Sequence, residues 1–434
     1  MLPSSLNSIP RRRWRIACLL GIGVLVNYFD RVNLTVSESD LHAAFGISAI
    51  TFGYLSGAYN WTYALCQLPV GVILDKFGIR RVGRISIFLW AIASFAAAIT
   101  PTLWGLFAAR LLLGIGEAPT FPANAKAVGR WFPQGERSFA TSLFDSAAKF
   151  APAVGVPLLG LLLLRVGWRW SFAATGLISL LYLVLFSSVY RDPQDDPQLT
   201  ETERTYIGQS ALIPPHATES PAPLSILLRQ RKVIAMIVGF GSYNYVFYLL
   251  LTWLPRYLST TLNLDLTHSF LYTGVPWLVA TVTDLCIGGL LADSLIQRGW
   301  NPSHVRKTIL IGGTACGLGL LGAVHPTSPI AALVWISVSI GGLAAAAPIG
   351  WSIPSLITPR NSVGSVGGII NFSNQLSGIA APIVTGYVVQ NLHSFAWAFG
   401  VAIIYLAVGI IAYLVLLGKI EQMPLSATSP RTTS

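Results

Sequence analysis

Charged residues are scarce in this chain. Asp, Glu, Lys and Arg make up 10% of its 434 residues, whereas a soluble protein carries about 25%. This deficit excludes an ordinary soluble domain, and the 53% hydrophobic content indicates an integral membrane protein. Because a membrane-spanning helix needs about 20 predominantly apolar residues, the sequence predicts twelve spans. They cover residues 16–37, 50–74, 83–100, 102–125, 139–164, 170–190, 233–256, 269–296, 308–325, 330–357, 363–390 and 397–418.

Residues with catalytic or metal-binding chemistry are also sparse. The four cysteines (Cys18, Cys66, Cys286 and Cys316) fall within predicted spans, and their spacing fits neither a zinc site nor a disulfide framework. We expect them to pack as small apolar side chains. The six histidines fall in loops or near span ends without metal-ligand spacing. No phosphate-binding glycine loop or nucleophile elbow is present. The sequence therefore predicts no catalytic residue, no metal and no cofactor, and no use of ATP.

The positive charges follow a topological pattern. The net charge is +11, and 22 of the 28 Lys and Arg lie in the termini or in loops that join an even span to the next odd one. Only Arg165, Arg169 and Arg256 fall on the opposite side. Because cytoplasmic loops carry an excess of Lys and Arg, both termini are predicted to be cytoplasmic. The basicity thus reports membrane orientation, and we expect no nucleic-acid partner.

One long hydrophilic interval divides the chain. Rich in Pro, Asp, Glu and Thr, it is typical of a linker. The predicted domains are a cytoplasmic tail (1–15), an N-terminal six-helix bundle (16–190), a cytoplasmic linker (191–232), a C-terminal six-helix bundle (233–418) and a second cytoplasmic tail (419–434). Within the linker, the residues from Leu199 to Glu203 predict the start of a short amphipathic surface helix.

An internal repeat supports two related halves. After span two, and again after span eight, the sequence runs Gly, three apolar residues, Asp, and then a basic loop. Glycine lets helices approach closely, and an Asp at a helix end can pair with Arg or with a neighbouring helix N-terminus. We therefore predict a latch that holds the cytoplasmic side shut in one state. The alternative is a charge cluster that only sets topology. The predicted latch residues are Gly71, Asp75, Lys76, Gly78, Arg80, Arg81, Asp293 and Arg298.

These features together resemble the major facilitator superfamily. Narrower similarity to its anion:cation symporter family lies at residues 27–34, 110–122 and 251–258. Within that family the chain is most similar to the bacterial branch for sugar acids, such as galactonate, glucarate and hexuronate transporters. The resemblance implies an all-α membrane protein of twelve transmembrane helices in two six-helix bundles. It also implies a substrate site between the bundles near the membrane midplane.

Ionisable residues lie deep within the spans, where each charge costs roughly 2.5–3.5 kcal/mol on insertion scales. Such residues are rarely there without a partner or a task, and we expect Arg110 and Glu117 to be functional. Arg110 and Glu117 are seven apart and share one helix face, and Pro119 predicts a kink beside Glu117. The alternative is a structural ion pair, for instance Arg110 with Asp30. The full set is Asp30, Arg31, Arg110, Glu117, Asp145, Lys149 and Asp284.

Arg31 is the predicted anchor for a substrate carboxylate, because a guanidinium is always charged and can grip a carboxylate with two parallel hydrogen bonds. Asp30 and Glu117 are the predicted proton carriers, and Arg110 is predicted to pair with either acid only when that acid is deprotonated. The resemblance implies the same roles. The energy source would then be a proton gradient.

Span five departs from the family pattern. The sugar-acid branch reads Phe-Asn-Ser-Gly-Gln where this chain has Phe144-Asp145-Ser146-Ala147-Ala148, followed by Lys149. Lys149 is either a second anion contact, which suits a dicarboxylate, or is neutralised by Asp145 one turn away. Asp284 either lines the cavity or meets a polar partner on a neighbouring span.

A hydroxyl-bearing substrate needs a few polar partners in its pocket. Tyr28 lies one turn before Arg31 and should face the same way. The resemblance implies that four residues contact the sugar acid: Tyr28, Tyr63, Trp351 and Asn371. Gln375, four residues after Asn371, lies on the same helix face and is a further predicted contact. For each of them, helix packing is the alternative.

We therefore predict a proton-coupled symporter rather than an enzyme. It would import a sugar acid such as a hexonate, hexarate or hexuronate by alternating access. We expect a multi-pass protein of the bacterial inner (plasma) membrane, monomeric, whose partners are a small organic anion, protons and lipid. Importers of aromatic or dicarboxylic acids and efflux facilitators for drugs are the alternatives. A sensor would need an output domain that a linker of about 40 residues cannot provide.

Overall fold

The structure is a computed structural model that describes residues 10–133, 136–208, 223–359 and 362–423. The first half of the chain is almost entirely helical. Span one is followed by a short helix, and span four is broken into two helices at its predicted kink. The helices are Arg12–Val36 (span one), Glu38–Phe45, Ala49–Ile99 (spans two and three), Leu103–Glu117 and Thr120–Trp131 (span four), and Arg137–Val189 (spans five and six).

Two of these helices each contain a pair of spans. Ala49–Ile99 has 51 residues and Arg137–Val189 has 53, so each would be more than 70 Å long if straight, over twice the roughly 30 Å hydrocarbon core. Each instead turns at a glycine with positive φ, Gly78 at 76° and Gly167 at 81°. Glycine adopts this conformation without the steric penalty of a Cβ, so it reverses the chain between spans.

The second half repeats the arrangement with more irregular helices. Span eight passes through a π-helical segment, and span nine ends in a 3-10 segment. Its helices are Arg231–Thr261 (span seven), Leu266–Thr283, Asp284–Leu291 and Ala292–Gln297 (span eight), Pro302–Cys316 and Gly317–Ala323 (span nine), Pro329–Ile357 (span ten), Val363–Leu392 (span eleven) and Phe395–Leu416 (span twelve). Seven of the described helices are long and apolar enough to cross a membrane by length and composition.

The two bundles are closed against each other on the predicted extracellular side. The amide of Asn60 in span two donates to the carbonyl of Gly378 in span eleven at 3.0 Å, and the hydroxyl of Thr35 donates to the carbonyl of Leu251 at 3.1 Å. A Cβ at Gly53 would lie 2.5 Å from the carbonyl oxygen of Pro382. Such close backbone packing leaves no passage here between spans two and eleven.

The opposite side is open. A cavity of about 1000 Å³ runs between the bundles and reaches the cytoplasmic ends of the helices at Arg137, Asp293 and Arg306. The structure is therefore an inward-facing conformation.

The linker contains a short helix, Glu201–Gly208, close to the predicted start. It is docked rather than free. The buried carboxylate of Glu203 accepts hydrogen bonds from the backbone N–H groups of Arg12 at 3.2 Å and Arg13 at 3.0 Å. This carboxylate satisfies otherwise unpaired donors at the start of span one. The predicted linker also includes residues 209–222, which lie outside the described residues, and the domain bounds stay predictions.

The expectation for the cysteines is met at Cys66, which is partly buried and packs against the hydrophobic core. It is wrong for Cys18, Cys286 and Cys316, which are exposed. Exposing an apolar thiol to lipid has no free-energy penalty, so a position within a span does not imply packing in the core.

Candidate functional site

The cavity collects the predicted substrate contacts from distant parts of the chain. Spans one, two, five, ten and eleven each contribute at least one of them. All seven line the cavity, and their contact with a substrate stays a prediction. They are Tyr28, Arg31, Tyr63, Lys149, Trp351, Asn371 and Gln375.

Arg31 lies in an aromatic cage at the cavity wall. Its Nε donates to Glu117 Oε2 at 3.0 Å, and its Nη2 donates to Asn27 Oδ1, one helical turn earlier, at 2.9 Å. The guanidinium carbon lies 4.2 Å from the ring centroid of Tyr28 and 4.5 Å from that of Tyr59. Aromatic faces attract such a cation. The guanidinium is thus fixed in orientation while its side chain still lines the cavity.

Glu117 is the charged partner of Arg31. It is fully buried at the break in span four, and its second oxygen, Oε1, has no hydrogen-bond partner among the described residues. The break arises because Pro119 cannot supply a backbone N–H, as the sequence predicted. Glu117 therefore lies behind Arg31, out of the cavity but in direct contact with the group that lines it.

Asp30 faces away from Arg31, although the two are adjacent in sequence. Its Oδ1 accepts a hydrogen bond from Ser94 in span three at 2.6 Å, and its Oδ2 accepts one from Ser179 in span six at 3.3 Å. Successive helix residues point about 100° apart, so the two neighbouring charges face different parts of the structure. Asp30 is buried within the N-terminal bundle.

The suggested ion pair between Arg110 and Asp30 is not formed in this conformation. Arg110 Nη1 donates to the backbone carbonyl of Asp30 at 3.4 Å, and its guanidinium carbon lies 5.5 Å from the Tyr59 ring. The ion pair in this region is the one between Arg31 and Glu117. Arg110 is buried close to both candidate proton carriers, and its charge acts on each of them. Its role in coupling stays a prediction.

Lys149 forms a second charged cluster with two carboxylates. Its Nζ lies 2.5 Å from Asp145 Oδ2, one turn earlier in span five, and 2.8 Å from Asp284 Oδ2. The contact to Asp284 has poor hydrogen-bond geometry, so it is an ion pair by distance. Asp284 begins the π-helical segment of span eight, in the other bundle. Of the two alternatives for Asp284, the polar partner on a neighbouring span is thus present.

The opposite wall joins the bundles through a pair of amides, and its aromatic contact lies within the C-terminal bundle. Asn371 Nδ2 donates to Gln67 Oε1 at 3.0 Å, and Trp351 packs edge-on against Phe240 with ring centroids 4.9 Å apart. Trp351 is 40% exposed, on the cavity side. The inter-bundle bond of Asn371 is compatible with both predicted roles, since a substrate can displace Gln67.

Two parts of the site were missed by sequence reasoning. Tyr59 was not named, yet it cages both Arg31 and Arg110; its position four residues before Tyr63 was the available signal, because the two share a helix face. The apolar part of the wall, including Phe121 and Phe247, carries no signal that separates it from ordinary membrane-helix residues.

The predicted latch is open. Asp75 Oδ1 accepts from Lys126 Nζ at 2.5 Å within the N-terminal bundle, and Asp293 and Arg298 belong to the cytoplasmic end of span eight. A Cβ at Gly71 or at Gly78 would meet nothing within 4 Å among the described residues. The close helix contact expected of Gly71 is therefore absent here. Closure by Lys76, Arg80 and Arg81 in another state stays a prediction.

Residues 20–382 match the family model of the Major Facilitator Superfamily. The chain belongs to the major facilitator superfamily. This major facilitator protein is 36% identical to the uncharacterized transporter YybO of Bacillus subtilis (strain 168), over 95% of the chain and 96% of that relative. It is 31% identical to the D-galactonate transporter of Escherichia coli O6:H1 (95% and 97%). It is 30% identical to the probable galactarate/D-glucarate transporter GarP of Escherichia coli (strain K12) (95% and 96%).

Solved structures confirm the fold of this major facilitator protein. A bacterial homolog to human lysosomal transporter Spinster, in inward-facing and occupied conformation, matches with a TM-score of 0.73 and 14% identity, covering 95% of this chain and 99% of that one. The inward open xylose transporter XylE from E. coli matches with a TM-score of 0.72 and 16% identity, covering 95% and 98%. The predicted class, twelve helices in two six-helix bundles, is thus confirmed. The protein is a multi-pass membrane transporter.

Proposed function

We propose that this protein is a proton-coupled symporter that imports a sugar acid across the bacterial inner membrane. The observation that carries the proposal is the position of Arg31. Its guanidinium lines a cavity between two bundles, and its charge is balanced by Glu117, which is fully buried. A cation in the transport cavity whose counter-charge is an internal carboxylate suits a substrate that is itself a carboxylate.

Binding follows from an exchange of partners. When Glu117 takes up a proton, its attraction for Arg31 weakens, and a substrate carboxylate can accept two parallel hydrogen bonds from the guanidinium. When Glu117 releases the proton, it reclaims Arg31 and the substrate is discharged. Because a buried unpaired charge is strongly unfavourable, the empty site with a protonated Glu117 and the loaded site with an ionised Glu117 are both disfavoured. Proton and anion then move together.

Asp30 is the second proposed proton carrier. Two hydroxyl groups hold its carboxylate inside the N-terminal bundle, and the nearby Arg110 contacts its backbone carbonyl. We assign Arg110 the task of stabilising whichever of Asp30 and Glu117 is ionised. Rotation of the bundles would then deliver the proton to the cytoplasmic side, where the inward-facing cavity opens.

Three observations support a sugar acid as the substrate. The relatives named D-galactonate transporter and galactarate/D-glucarate transporter cover nearly the whole chain. The cavity wall offers hydroxyl and amide groups, such as Tyr63 and Asn371, that suit a polyhydroxylated acid. The roughly 1000 Å³ cavity is at the upper end of the usual range for small-molecule sites, about 300–1,000 Å³.

Uptake into proteoliposomes tests the proposal. We expect labelled galactonate to accumulate when the outside is more acidic than the inside, and a proton ionophore to abolish accumulation. Galactose, a neutral sugar of the same carbon skeleton, is the matched control substrate and should not be transported. Transport of galactose, or galactonate accumulation that ignores the pH gradient, would contradict the proposal.

A further inference from the structure

Two cations face the same cavity, and each is held by carboxylates while the site is empty. Arg31 is paired with Glu117 at 3.0 Å. Lys149, whose side chain is 3% exposed, lies between Asp145 and Asp284 at 2.5 and 2.8 Å. The coupling proposed above uses only the first arrangement, so Lys149 is a predicted substrate contact that has no part yet in coupling.

The two cations are neighbours across Tyr28. The ring of Tyr28 lies 4.2 Å from the guanidinium carbon of Arg31, and the charges of both Arg31 and Lys149 act on its hydroxyl. Tyr28 and Lys149 both line the cavity. One elongated ligand in this cavity can therefore meet Arg31 with one end and Lys149 with the other.

The second cluster carries a formal charge of −1, because Lys149 is shared by Asp145 and Asp284. Asp284 is fully buried, and its Oδ1 has no hydrogen-bond partner among the described residues. The remaining ionisable groups whose charges act on the cluster are the phenols of Tyr28 and Tyr243, which add no positive charge. A further carboxylate bound to Lys149 would bring the cluster to −2. Since buried uncompensated charge is unfavourable, its arrival should be matched by one proton, and Asp284, the fully buried partner, is the acid that would take it.

We propose that Lys149 is a second carboxylate anchor, released to the substrate when Asp284 is protonated, and that the preferred substrates are sugar diacids. This inference rests on the proposed function and sharpens it to a substrate class. One carboxylate of a hexarate binds Arg31 and the other binds Lys149. One proton, on Asp284, returns the cluster to the charge of −1 that it has in the empty site. A diacid therefore binds with one more proton than the corresponding monoacid.

Isothermal titration calorimetry with galactarate and galactonate tests this directly. The two acids differ only at one terminal carbon, and titrations in buffers of different ionisation enthalpy count the protons taken up. We expect wild-type protein to bind galactarate more tightly and with one additional proton. A charge-assisted hydrogen bond contributes enough for roughly tenfold in affinity or more, so the preference should be at least of that order.

Two variants separate anchoring from a purely structural tie between spans five and eight. Lys149→Gln/Asp284→Asn keeps the cluster at −1 and removes the ammonium group; galactarate affinity should fall roughly tenfold more than galactonate affinity. Asp284→Asn alone keeps the pair of Lys149 and Asp145, so galactarate should bind with one proton fewer. Lys419→Gln, on an exposed cytoplasmic residue, is the matched control and should change neither value.

The possible failures are distinguishable. If neither acid binds the wild-type protein, the proposed function fails. If galactonate binds through Arg31 but galactarate binds no better, or if the double variant loses both acids equally, Lys149 is a structural tie and this inference is overturned. Should the double variant not fold, the proton count of Asp284→Asn decides, since an unchanged count contradicts the proposal.

Discussion

Replacing Glu117 by Gln removes one charge from the centre of the proposed coupling mechanism and almost no volume. In the empty protein, Glu117 Oε2 accepts from Arg31 Nε at 3.0 Å, and the carboxylate is fully buried. The amide oxygen of Gln can keep this hydrogen bond. It cannot balance the guanidinium charge, so Arg31 becomes a buried cation with no ionised partner of its own.

The magnitude follows from that imbalance. Breaking a buried ion pair by removing one partner costs about 3–5 kcal/mol. A substrate carboxylate that binds Arg31 from the cavity side recovers part of this cost, so the variant should bind galactonate at least tenfold more tightly, an effect of about 1.4 kcal/mol. The same change fixes the site in the form that a protonated Glu117 would have. We therefore expect galactonate exchange between the two sides to persist, while accumulation driven by a pH gradient is lost.

Two assays on Glu117→Gln check both parts. Thermal unfolding with and without galactonate should show an unliganded variant less stable than wild type and a larger ligand-induced shift. Counterflow and proton-driven uptake in proteoliposomes should separate exchange from accumulation. Glu201→Gln, on a side chain that is 87% exposed in the linker helix, is the matched control. Retained proton-driven accumulation in Glu117→Gln would refute the assignment, and weaker binding would show that Arg31 is not the anchor that Glu117 restrains.

Other perturbations have equally definite outcomes. Arg31→Lys keeps the charge but loses the two-pronged donor, so galactonate affinity measured by calorimetry should fall roughly tenfold or more; an unchanged affinity contradicts the anchor. Gly274→Val places a Cβ 2.5 Å from the backbone oxygen of Ala153, so it should disfavour the inward-facing state, seen as longer distances between spin labels on the extracellular ends of spans five and eight. Burial disfavours the Glu136 carboxylate, but hydrogen bonds led by that from Arg13 outweigh this and lower its pKa. The stability that Glu136 contributes is thus present above about pH 4.3, the ordinary range, and is lost as the pH falls through the lowered pKa. The stability difference between wild type and Glu136→Gln should shrink there, and a constant difference from pH 3 to 7 would contradict it.

Much of the fold was predictable, because a membrane imposes strong constraints on sequence. Backbone groups in lipid must be satisfied within a helix, so apolar stretches translate almost directly into spans. The break after Glu117 followed from Pro119 in the same local way. The turns at Gly78 and Gly167, by contrast, were not predicted. Each reverses the chain at a single glycine, so the loop expected between spans two and three is largely helical.

The site was predictable in membership and less so in its pairings. All seven predicted contacts line the cavity, although a polar residue in a span can instead be buried within one bundle, as Asp30 is. Which charge meets which was not predictable. Glu117 pairs with Arg31 rather than with Arg110, and Asp284 meets Lys149 across the bundle interface. These partners are 86 and 135 positions apart, and helix periodicity carries no information on the packing of one span against another.

Alternating access explains why each cavity cation has an internal acid beside it. A transporter that opens alternately to both sides must also change conformation with an empty cavity. An unbalanced cation in that cavity would disfavour this step. Glu117 balances Arg31, and Asp145 and Asp284 more than balance Lys149. Under the proposed mechanism, Glu117 and Asp284 each compete with the substrate for a cation and lose it only when protonated. The proton count per substrate is then set by the number of cation-bound carboxylates that the substrate displaces, which ties substrate class and energy coupling to the same side chains.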